Sequence, residues 1–464
     1  MNKKALKILI VIEEGPQFYY YKNLVQILCE RGHRVKILFA KREDLIFPEL
    51  QTEFLNKFPN LAWGKSFYRS PFWKLVLRNS RPILNYRRFL MAQNYPAFYA
   101  ERLEKFLPIW LRPLVRWRFL NIKFVIKASW VKKLLHLIEA GTPIDSRILN
   151  QILADRPDVM LIAAGNNLVT TSPDYDYVKA AKKLGIAHAF SVFSWDYLET
   201  KGVVHSEPDW LWVWNEVLKK EAVGALDFPA EKIVIVGAAQ FDSWFARLNK
   251  PPSKNRRDFC RTYKLDAGRP IIAYLGSAGV FGNETGFFEE IYAALKKEPA
   301  LAKVQFIIRP HPKNSKSFAD FKRAAVAVVP EAGQLATSQS AMQLFYDTLY
   351  HAAAVIGIGT SGFIDALVAD KPAVTLIADY YDHLQAHAPH FRHLLENGVL
   401  ETARRPEELP AITANILAGG DRCRQQRREF IKKFIRPRGL TEPVSEIMAR
   451  ELENLAAKKI SRHA

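Results

Sequence analysis

Cysteine is scarce in this sequence. Three cysteines stand among 464 residues, at Cys29, Cys260 and Cys423, far apart and odd in number. No Cys-x-x-Cys pair or similar ligand spacing occurs, so the sequence offers neither a disulfide framework nor a cysteine-based metal site. A reducing cytoplasm is the simplest environment for such a chain.

Long hydrophobic runs are also absent. No stretch approaches the roughly 18 uninterrupted apolar residues that a membrane-spanning helix requires. The first residues look like a signal peptide, with lysines before an apolar run, but Lys7 interrupts that run and Glu13 and Glu14 end it. We therefore expect a first β-strand here, and neither a leader peptide nor a membrane anchor.

Acidic residues are nearly missing from one segment. Between Gly64 and Lys133, 16 Lys and Arg stand against two acids, Glu101 and Glu104, which gives a local net charge of +14. The whole chain carries +20, so only +6 remains for the rest. The segment is also rich in Trp, Phe, Tyr and Pro, which favours a set of short helices over strands.

This basic, aromatic segment has two interpretations. It is either a patch for an anionic membrane surface or a polyanionic substrate, or a helical subdomain with an aromatic core and solvated charges. No nucleic-acid-binding motif accompanies the charge, so a nucleic-acid partner is not expected.

Elsewhere short apolar runs alternate with helical patterns. The runs predict strands at 7–12, 35–39, 158–163, 187–193, 210–214, 232–236, 271–275, 304–308, 354–357 and 373–377. Between them lie helical patterns at 17–31, 174–184, 216–226 and near 286–297, and a final one at 440–458. Such alternation predicts an α/β protein with two Rossmann-like, doubly wound domains and a cleft between them.

The segment Lys250–Lys254 (KPPSK) is the best linker. We accordingly expect a first domain at 1–250, with the helical basic insertion at about 60–148. A second domain would follow at 251–440, and a C-terminal helix at 441–464.

Polar and small residues follow several strands of the predicted second domain. Ligands bind outside the carboxyl ends of parallel strands, so these residues predict one anion-binding site, most simply for a nucleotide diphosphate. Arginine suits a phosphate fork, histidine can donate a proton to a leaving group, and glycine-rich turns expose amides at a helix start. The predicted donor-binding residues are Gly276, Ser277, Arg309, His311, Gly359, Thr360, Ser361, Gly362 and Asp365.

Each of these residues also has a structural interpretation. Thr360 and Ser361 can cap a helix that begins near 362, and Asp365 can complement its dipole. Arg309 can pair with a surface carboxylate, and His311 can belong to a rigid loop between two prolines. Gly276 and Ser277 can form a simple strand-to-helix turn.

The order of these features resembles the GT-B superfamily of nucleotide-sugar glycosyltransferases. Within it, the likeness is closest to CDP-glycerol glycerophosphotransferase-type and capsule-polysaccharide transferases. The resemblance covers roughly residues 186–385. It rests on Ser194–Gly202 (SWDYLETKG), Gly237–Asp242 (GAAQFD), Arg309–Pro312 (RPHP), Thr360–Asp365 (TSGFID), Lys371-Pro372 and Asp379.

Two departures separate the chain from those families. Asp196 stands where the resemblance implies a catalytic histidine. The turn Gly359–Gly362 replaces the expected Thr-Asp-Tyr-Ser-Ser and looks more like the turn of nucleotide-sugar 2-epimerases. The resemblance therefore implies the fold and a nucleotide-activated donor, but it leaves the donor's identity open.

An acceptor hydroxyl must lose a proton as it attacks, so the first domain needs a base. The candidates are Asp196, at the end of the fourth predicted strand (187–193), and Glu13 or Glu14, after the first. His311 is a further catalytic candidate. Lys201 and Gly15 are expected to contact the acceptor or a phosphate. A strand-end turn carboxylate is the structural alternative for Asp196.

We expect neither a metal nor a cofactor, since the nucleotide-activated donor is a substrate. We expect no Asp-x-Asp motif in the region of the cleft. The spacing of His383, His387, His390 and His393 is helical, but Ala388-Pro389 argues against one continuous helix.

The sequence thus favours a glycosyltransferase that moves a sugar from a nucleotide donor to a surface-polysaccharide or lipid-linked acceptor, metal-independent and inverting. The expected location is cytoplasmic, peripheral on the inner face of the cell membrane. Three alternatives stay open: a polyol-phosphate (glycerophosphate-type) transferase, a nucleotide-sugar 2-epimerase, and a non-catalytic membrane- or glycan-binding protein on a transferase scaffold.

Overall fold

A computed structural model of the chain describes residues 5–41, 48–92, 95–117, 121–165, 172–248, 250–278, 282, 284–330, 339–377 and 385–463. Within these ranges, apolar strands alternate with helices, as the sequence predicts.

Two parallel sheets organise the described residues. The strands are β1 (Lys7–Glu14), β2 (Arg34–Lys41), β3 (Leu61–Lys65), β4 (Val159–Ala163), β5 (Ala187–Ser191), β6 (Trp210–Val213), β7 (Ile233–Ile235), β8 (Ile271–Leu275), β9 (Gln305–Arg309), β10 (Val326–Val328), β11 (Ala354–Gly357), β12 (Ala373–Leu376) and β13 (Glu401–Ala403).

The helices follow in chain order. They are α1 (Phe18–Glu30), α2 (Pro48–Lys57), α3 (Pro71–Met91), α4 (Ala97–Glu104), α5 (Leu111–Arg116), α6 (Ile122–Lys127), α7 (Ser129–Gly141), α8 (Ser146–Asp155), α9 (Asp174–Lys183), α10 (Tyr197–Thr200), α11 (Glu216–Leu226), α12 (Asp242–Leu248), α13 (Arg256–Thr262), α14 (Glu284–Lys297), α15 (Gln339–His351), α16 (Gly362–Val368), α17 (Pro389–Glu396), α18 (Leu409–Leu417), α19 (Arg424–Phe430) and α20 (Val444–His463). Short 3-10 turns occur at Gly15–Gln17, Ala230–Lys232, Ala239–Phe241, Pro299–Leu301, Pro312–Phe318 and Pro406–Glu408, and a π-helical segment at Ile431–Ile435.

Strand order locates the expected ligand positions. The first sheet runs β3-β2-β1-β4-β5-β6-β7 and the second β10-β9-β8-β11-β12-β13, with parallel pairing throughout the registers described. The order reverses between β1 and β4 in one sheet and between β8 and β11 in the other. These are the topological switch points at which doubly wound folds bind ligands, beyond the carboxyl ends of the strands. The predicted pair of Rossmann-like, doubly wound domains is confirmed.

The strands form because their residues can be buried on both faces. β1 reads KILIVIEE, and its six central residues are buried; all five residues of β4 are buried as well. Parallel strands covered by helices on both sides are apolar along their whole length, which made them visible in the sequence.

The chain packs as two compact units. Residues up to Asp242, together with the segment from Phe434, form the first unit, and Ser243–Lys433 form the second. The final helix α20 therefore belongs to the first unit, where Val444, Met448 and Leu452 join the core.

The Gly237–Asp242 segment anchors that returning chain. The carboxylate of Asp242 accepts hydrogen bonds from the amides of Val444 and Ser445, at 3.0 and 2.7 Å, and from the Arg436 guanidinium at 2.6 Å. Gly237 has a φ of +101°, and a Cβ there would lie 2.7 Å from Val444. This part of the family-like pattern therefore has a structural role, the capping of α20.

The basic insertion is helical, as predicted, with two differences. It begins with an edge strand, β3, and its first helix, α3, is 21 residues long and contains Pro82. The insertion has an aromatic core of its own, including Tyr86, Phe89 and Tyr99. No helix in the described part of the chain is long and apolar enough to cross a membrane.

Candidate functional site

In the second sheet, the predicted donor-binding residues follow neighbouring strands at their carboxyl ends, and this row of strand ends is called the edge below. Arg309, Leu275 and Gly357 are aligned in register across β9, β8 and β11. The segments that follow these strands therefore begin side by side. They carry His311, Gly276 with Ser277, and the Gly359–Gly362 turn.

Arg309 is a buried cation at this edge. It is 8% exposed, its guanidinium carbon lies 4.3 Å from the centre of the Phe345 ring, and Nη1 has no hydrogen-bond partner among the described residues. Burial lowers the pKa of Arg309 to about 10, although nearby Asp365 acts in the opposite direction. A guanidinium held away from water with an unused donor is suited to an anionic ligand.

Asp365 lies close enough to Arg309 for each to influence the other's ionisation. Burial raises the pKa of Asp365 to about 7, against the influence of Arg309 and of a hydrogen bond with Trp244. In a satisfied ion pair the two shifts would go the other way, so the pair alone does not offset the loss of hydration. The positive charge at Arg309 therefore remains available to a ligand.

Gly276 allows the backbone after β8 to lie close to the backbone after β9. Its amide donates to the Arg309 carbonyl at 2.9 Å, and a Cβ at this position would lie 2.8 Å from the His311 amide nitrogen. Any other residue would push the His311 segment away. The glycine is thus required by a close backbone approach.

Ser277 is fully buried and is held by a carboxylate. The Glu284 side chain accepts the Ser277 amide at 2.6 Å, the Tyr274 hydroxyl at 3.2 Å and the Asn314 amide group at 2.7 Å. Burial raises the pKa of Glu284, and these hydrogen bonds oppose the shift. Glu284 therefore ties the loop after β8 to the Arg-Pro-His-Pro loop after β9.

Side-chain hydrogen bonds hold the turn that follows β11. The Ile358 carbonyl accepts the Thr375 hydroxyl at 2.8 Å and the Gln385 side chain, and Thr360 Oγ1 accepts the Gly362 amide at 3.2 Å. The helix that follows, α16, has seven residues, so the dipole contribution expected at its start is small. Ser361 is exposed and Thr360 is buried.

In the first unit, two buried carboxyl groups lie beside Gly165. A Cβ at Gly165 would lie 1.9 Å from an oxygen of Glu13 and 2.4 Å from an oxygen of Asp174. Both acids are 1% exposed, and the Gly165 amide donates to Asp174 at 2.5 Å. Glu13 belongs to β1 and Gly165 follows β4, so the pair lies at the switch point of the first sheet.

Electrostatics favour one proton in this pair. Burial, and then the charge of Glu13, raise the pKa of Asp174 well above its usual range. Two carboxyl groups this close cannot both be ionised cheaply. Such a pair can hold a proton and release it, which is the requirement for general acid–base chemistry.

Asp196 and Lys201 are bound to each other. The Asp196 carboxylate lies 3.1 Å from the Lys201 ammonium, accepts the Thr200 hydroxyl at 2.8 Å and also accepts the Ser194 hydroxyl. These contacts occupy both oxygens of Asp196. The arrangement matches the structural alternative, a carboxylate that fixes a turn at α10.

Glu14 and Gly15 take part in local structure. Glu14 forms a reciprocal capping box with Gln17 at the 3-10 turn, in which the Gln17 side chain accepts the Glu14 amide at 3.2 Å. Gly15 opens that turn and is buried. Asp379 and His383 lie outside the described residues.

Sequence reasoning missed three contributors: Asp174, Glu284 and Phe345. Asp174 and Glu284 each begin a helix that follows a strand end, and an acid in the first helical turn reads as a dipole partner. Only their burial, which the structure shows, distinguishes Asp174 and Glu284 from ordinary acids in a first helical turn. Phe345 lies on α15 and had no pattern of its own.

Comparison with known proteins supports the fold. No protein-family model and no curated protein matches the sequence. Among solved structures, S. aureus MnaA with UDP is 11% identical with a TM-score of 0.53, covering 97% of this chain and 96% of that one. A UDP-GlcNAc 2-epimerase from Neisseria meningitidis bound to UDP-GlcNAc is 12% identical (TM-score 0.54; 97% and 100% covered). A glycosyltransferase from Rickettsia africae is 11% identical (TM-score 0.54; 99% of both chains). The chain therefore has a GT-B fold.

Proposed function

We propose that this chain is a GT-B enzyme that binds a nucleotide-activated sugar and transfers the sugar to a surface-polysaccharide or lipid-linked acceptor. The observation that carries the proposal is Arg309, a buried guanidinium with an unused donor at the end of β9, the strand next to β8 and its switch point. Two of the similar structures are named with UDP or UDP-GlcNAc, which supports a ligand of this class.

The donor's diphosphate would bind along the edge formed by β8, β9 and β11. Arg309 would neutralise the charge that builds on the leaving phosphate, and amides of the Gly359–Gly362 turn would donate to its oxygens. His311, held beside Gly276, would donate a proton or hydrogen bond to the same group. Inversion in one displacement needs no enzyme nucleophile, and the proposed steps use only this chain's side chains and amides.

The acceptor's proton would go to the acid pair of the first unit. We assign the base role to Glu13, with Asp174 sharing the proton, because the oxygens of Asp196 are already engaged by Lys201, Ser194 and Thr200. A carboxylate whose partner keeps a raised pKa can accept a proton near neutral pH.

A nucleotide-sugar 2-epimerase is the second candidate. The specific observation in its favour is the same acid pair, since one protonated and one ionised carboxyl group can supply both an acid and a base. Three of the similar structures, each with a TM-score of 0.54, carry that enzyme's name.

We also propose that the basic insertion contacts an anionic membrane. Of the 20 large hydrophobic side chains that are exposed in the described part of the chain, 13 lie between Phe67 and Leu137. Ile109 is 77% exposed, Phe124 70% and Trp110 59%. Exposed aromatics among lysines and arginines suit the interface of an anionic bilayer, because rings enter the headgroup region while cations meet phosphates.

Nucleotide binding is tested by thermal shift. UDP, CDP, GDP, dTDP and CMP are each added to the whole protein, and at 100 times its dissociation constant a ligand adds about 2.7 kcal/mol, which moves the melting point by several degrees. Arg309→Ala should abolish the shift, while Arg261→Ala, an exposed cation on α13, should keep it. A thermal shift that persists in Arg309→Ala would contradict the proposal that Arg309 binds the nucleotide.

Product analysis separates the two candidate reactions. The protein is incubated with a nucleotide sugar that contains the nucleotide giving the largest thermal shift. The sugar is followed by NMR with and without membrane extract. Transfer requires the extract and releases the nucleoside diphosphate, whereas epimerisation inverts C2 without an acceptor. Glu13→Gln should stop either reaction and leave the nucleotide shift intact; unchanged turnover would remove Glu13 as the base.

A further inference from the structure

A cavity lies in the first unit, between the helical insertion and the α10–α11 region. Its volume is about 410 Å³, and its walls come from α3, α7, the segment after α10 and the end of α11. Its lining includes Arg87, Arg88, Lys132 and His136. The cavity is distinct from the strand edges that carry the residues described above.

The cations of this cavity are only partly neutralised. Arg88 is 8% exposed and donates to two backbone carbonyls, that of Gly202 at 2.7 Å and that of Leu198. Arg87 also donates to a carbonyl, that of Lys127, at 2.8 Å. Carbonyls position a guanidinium without cancelling its charge. Among the described ion pairs, neither arginine has a carboxylate partner.

One acid lines the cavity. Asp227 binds Lys132 at 2.7 Å, but its side chain is 75% exposed, so water screens the pair. Burial, and then Lys132 and Arg87, lower the pKa of His136, although Glu139 and Asp227 oppose them. Within the lining, Arg87, Arg88 and Lys132 stand against Asp227 alone. Glu199 and Glu221 partly offset the charge of Arg88 from outside the lining, while Nε of Arg87 is buried without a hydrogen-bond partner among the described residues.

Apolar side chains form much of the remaining wall, which also includes Tyr95. Leu84, Met91, Val203 and Leu226 line it beside the cations, and Met91 is 49% exposed. Cations on one side and aliphatic groups on the other match a ligand with an anionic head and an apolar chain. An inorganic anion would leave the aliphatic wall without a partner.

We propose that this cavity binds a phosphate ester that carries an apolar chain, as the anionic end of the acceptor. This inference rests on the proposed transferase function. It assigns Arg87, Arg88 and Lys132 to the phosphate oxygens, with Arg88 preset by its carbonyl contacts. Leu84, Met91 and Val203 contact the first carbons of the chain.

The test is titration calorimetry of the whole protein with farnesyl monophosphate, kept below its micelle concentration. Binding is expected for farnesyl monophosphate and much weaker for inorganic phosphate or for farnesol. Equal affinity for inorganic phosphate would overturn the apolar-chain assignment, and equal affinity for farnesol would overturn the anionic one.

Variants locate the site. Lys132→Ala and Arg87→Gln should each weaken binding at least tenfold, whereas Lys132→Arg should retain most of it. The matched control is Lys133→Ala, because Lys133 is the next residue on α7 and is exposed outside the cavity. Equal weakening by Lys132→Ala and Lys133→Ala would overturn the site. Arg88 is left unchanged, since its carbonyl contacts make it part of the fold.

A UDP thermal shift on the same protein keeps the two proposals separate. Loss of farnesyl-phosphate binding with the UDP shift intact contradicts the acceptor cavity alone. Farnesyl-phosphate binding without any nucleotide shift contradicts the proposed transferase and leaves the cavity's ligand chemistry standing.

Discussion

Arg309 and Asp365 each have a pKa displaced toward the neutral form, and burial is the first cause for both. Neighbouring opposite charges normally stabilise each other's ionised state. Here the loss of hydration outweighs that attraction, which is expected of a site built for a third, charged participant. The titration of Asp365 can be measured through stability.

Replacing Asp365 with Asn should change the pH dependence of stability. The folded protein holds a proton on Asp365 up to about pH 7, while the unfolded chain releases it near pH 4, so wild-type stability falls as pH rises through that window. Asn cannot titrate and can still accept the Trp244 hydrogen bond. Relative to wild type, Asp365→Asn should therefore gain about 2–3 kcal/mol between pH 5 and pH 8, measured by urea unfolding.

The control is Asp320→Asn, which removes an exposed carboxylate from the same unit. A difference between Asp365→Asn and wild type that stays constant from pH 5 to pH 8, or that follows the Asp320→Asn curve, would contradict a raised pKa at Asp365.

Gly276→Ala should damage the site through the backbone. The added methyl would lie 2.8 Å from the His311 nitrogen and 3.1 Å from the Arg309 carbonyl oxygen, neither of which can rotate away. We expect a loss of about 1–3 kcal/mol in the free energy of unfolding, and loss of the nucleotide-induced thermal shift.

Gly224→Ala is the matched control for that substitution. No atom lies within 4 Å of the new methyl, and Gly224 is within α11, so the change should stabilise the protein by about 0.5–1 kcal/mol. If Gly276→Ala behaved in the same way, the close approach between β8 and β9 would not matter.

For single residues, the sequence identified site candidates that directly follow strands. It missed residues whose importance comes from a contact with a side chain distant in the sequence. Arg309 and His311 were found because they come at the end of an apolar run that predicts a buried strand. Asp174, at the start of α9, was missed because it comes close to Glu13 of β1 only after β1 and β4 become neighbours. Asp196 drew attention through family resemblance, and the structure adds its local contact with Lys201.

Among the elements, the predicted strands agree with the structure within two residues at each end. Continuous burial on both faces makes such strands apolar throughout, so the pattern is unambiguous. The sequence missed β3, β10 and β13, which are short edge strands. β3 and β13 mix polar and apolar residues, and β10 has three residues, none of them fully buried. An edge strand packs on fewer neighbours, and its sequence carries a weaker signal.

The helices α3 and α7 of the insertion are joined by a buried ion pair. Arg81 and Glu139 are 3% and 6% exposed and share two hydrogen bonds of 2.9 Å. Burial acts to raise the pKa of Glu139, but Arg81 outweighs it and lowers the pKa to about 2. The fold of the insertion therefore depends on both partners.

Glu139→Ala and Arg81→Ala should each destabilise the protein by about 3–5 kcal/mol, because each leaves a buried charge without its partner. The double variant should cost less than the sum of the two, and urea unfolding measures the coupling. Because the pKa of Glu139 is depressed, its contribution is present above about pH 4.5 and is lost as the pH falls toward 2.

The exposed pair of Arg261 with Asp258 supplies the comparison. Arg261→Ala should change stability by less than about 1 kcal/mol, since that arginine is 77% exposed. Equal effects at Arg81 and Arg261 would mean that the pair between α3 and α7 is not buried in solution.

Across the whole molecule, charge and exposed apolar surface are concentrated in the same segment. Residues 64–133 carry +14 of the net +20, and this region also holds most of the large hydrophobic side chains exposed in the described residues. The sequence predicted the charge, but the exposure of the aromatics emerged only from the fold, because some of them form the insertion's core and others do not. Hydropathy alone cannot separate these two groups.

Vesicle sedimentation should detect this surface in the intact protein. We expect binding to phosphatidylglycerol vesicles at 0.1 M salt and little binding to phosphatidylcholine, since each Lys or Arg near an anionic surface contributes about 1 kcal/mol. Raising the salt to about 1 M shortens the screening length to about 3 Å and should release most of the protein. Lys105→Glu combined with Lys127→Glu, both exposed in the insertion, should reduce the bound fraction strongly. The same charge change at Lys297 and Lys303, exposed in the second unit, should leave binding unchanged, because those positions lie outside the basic segment. Full retention at 1 M salt, or equal losses in the two variants, would show that the segment's charge does not direct membrane contact.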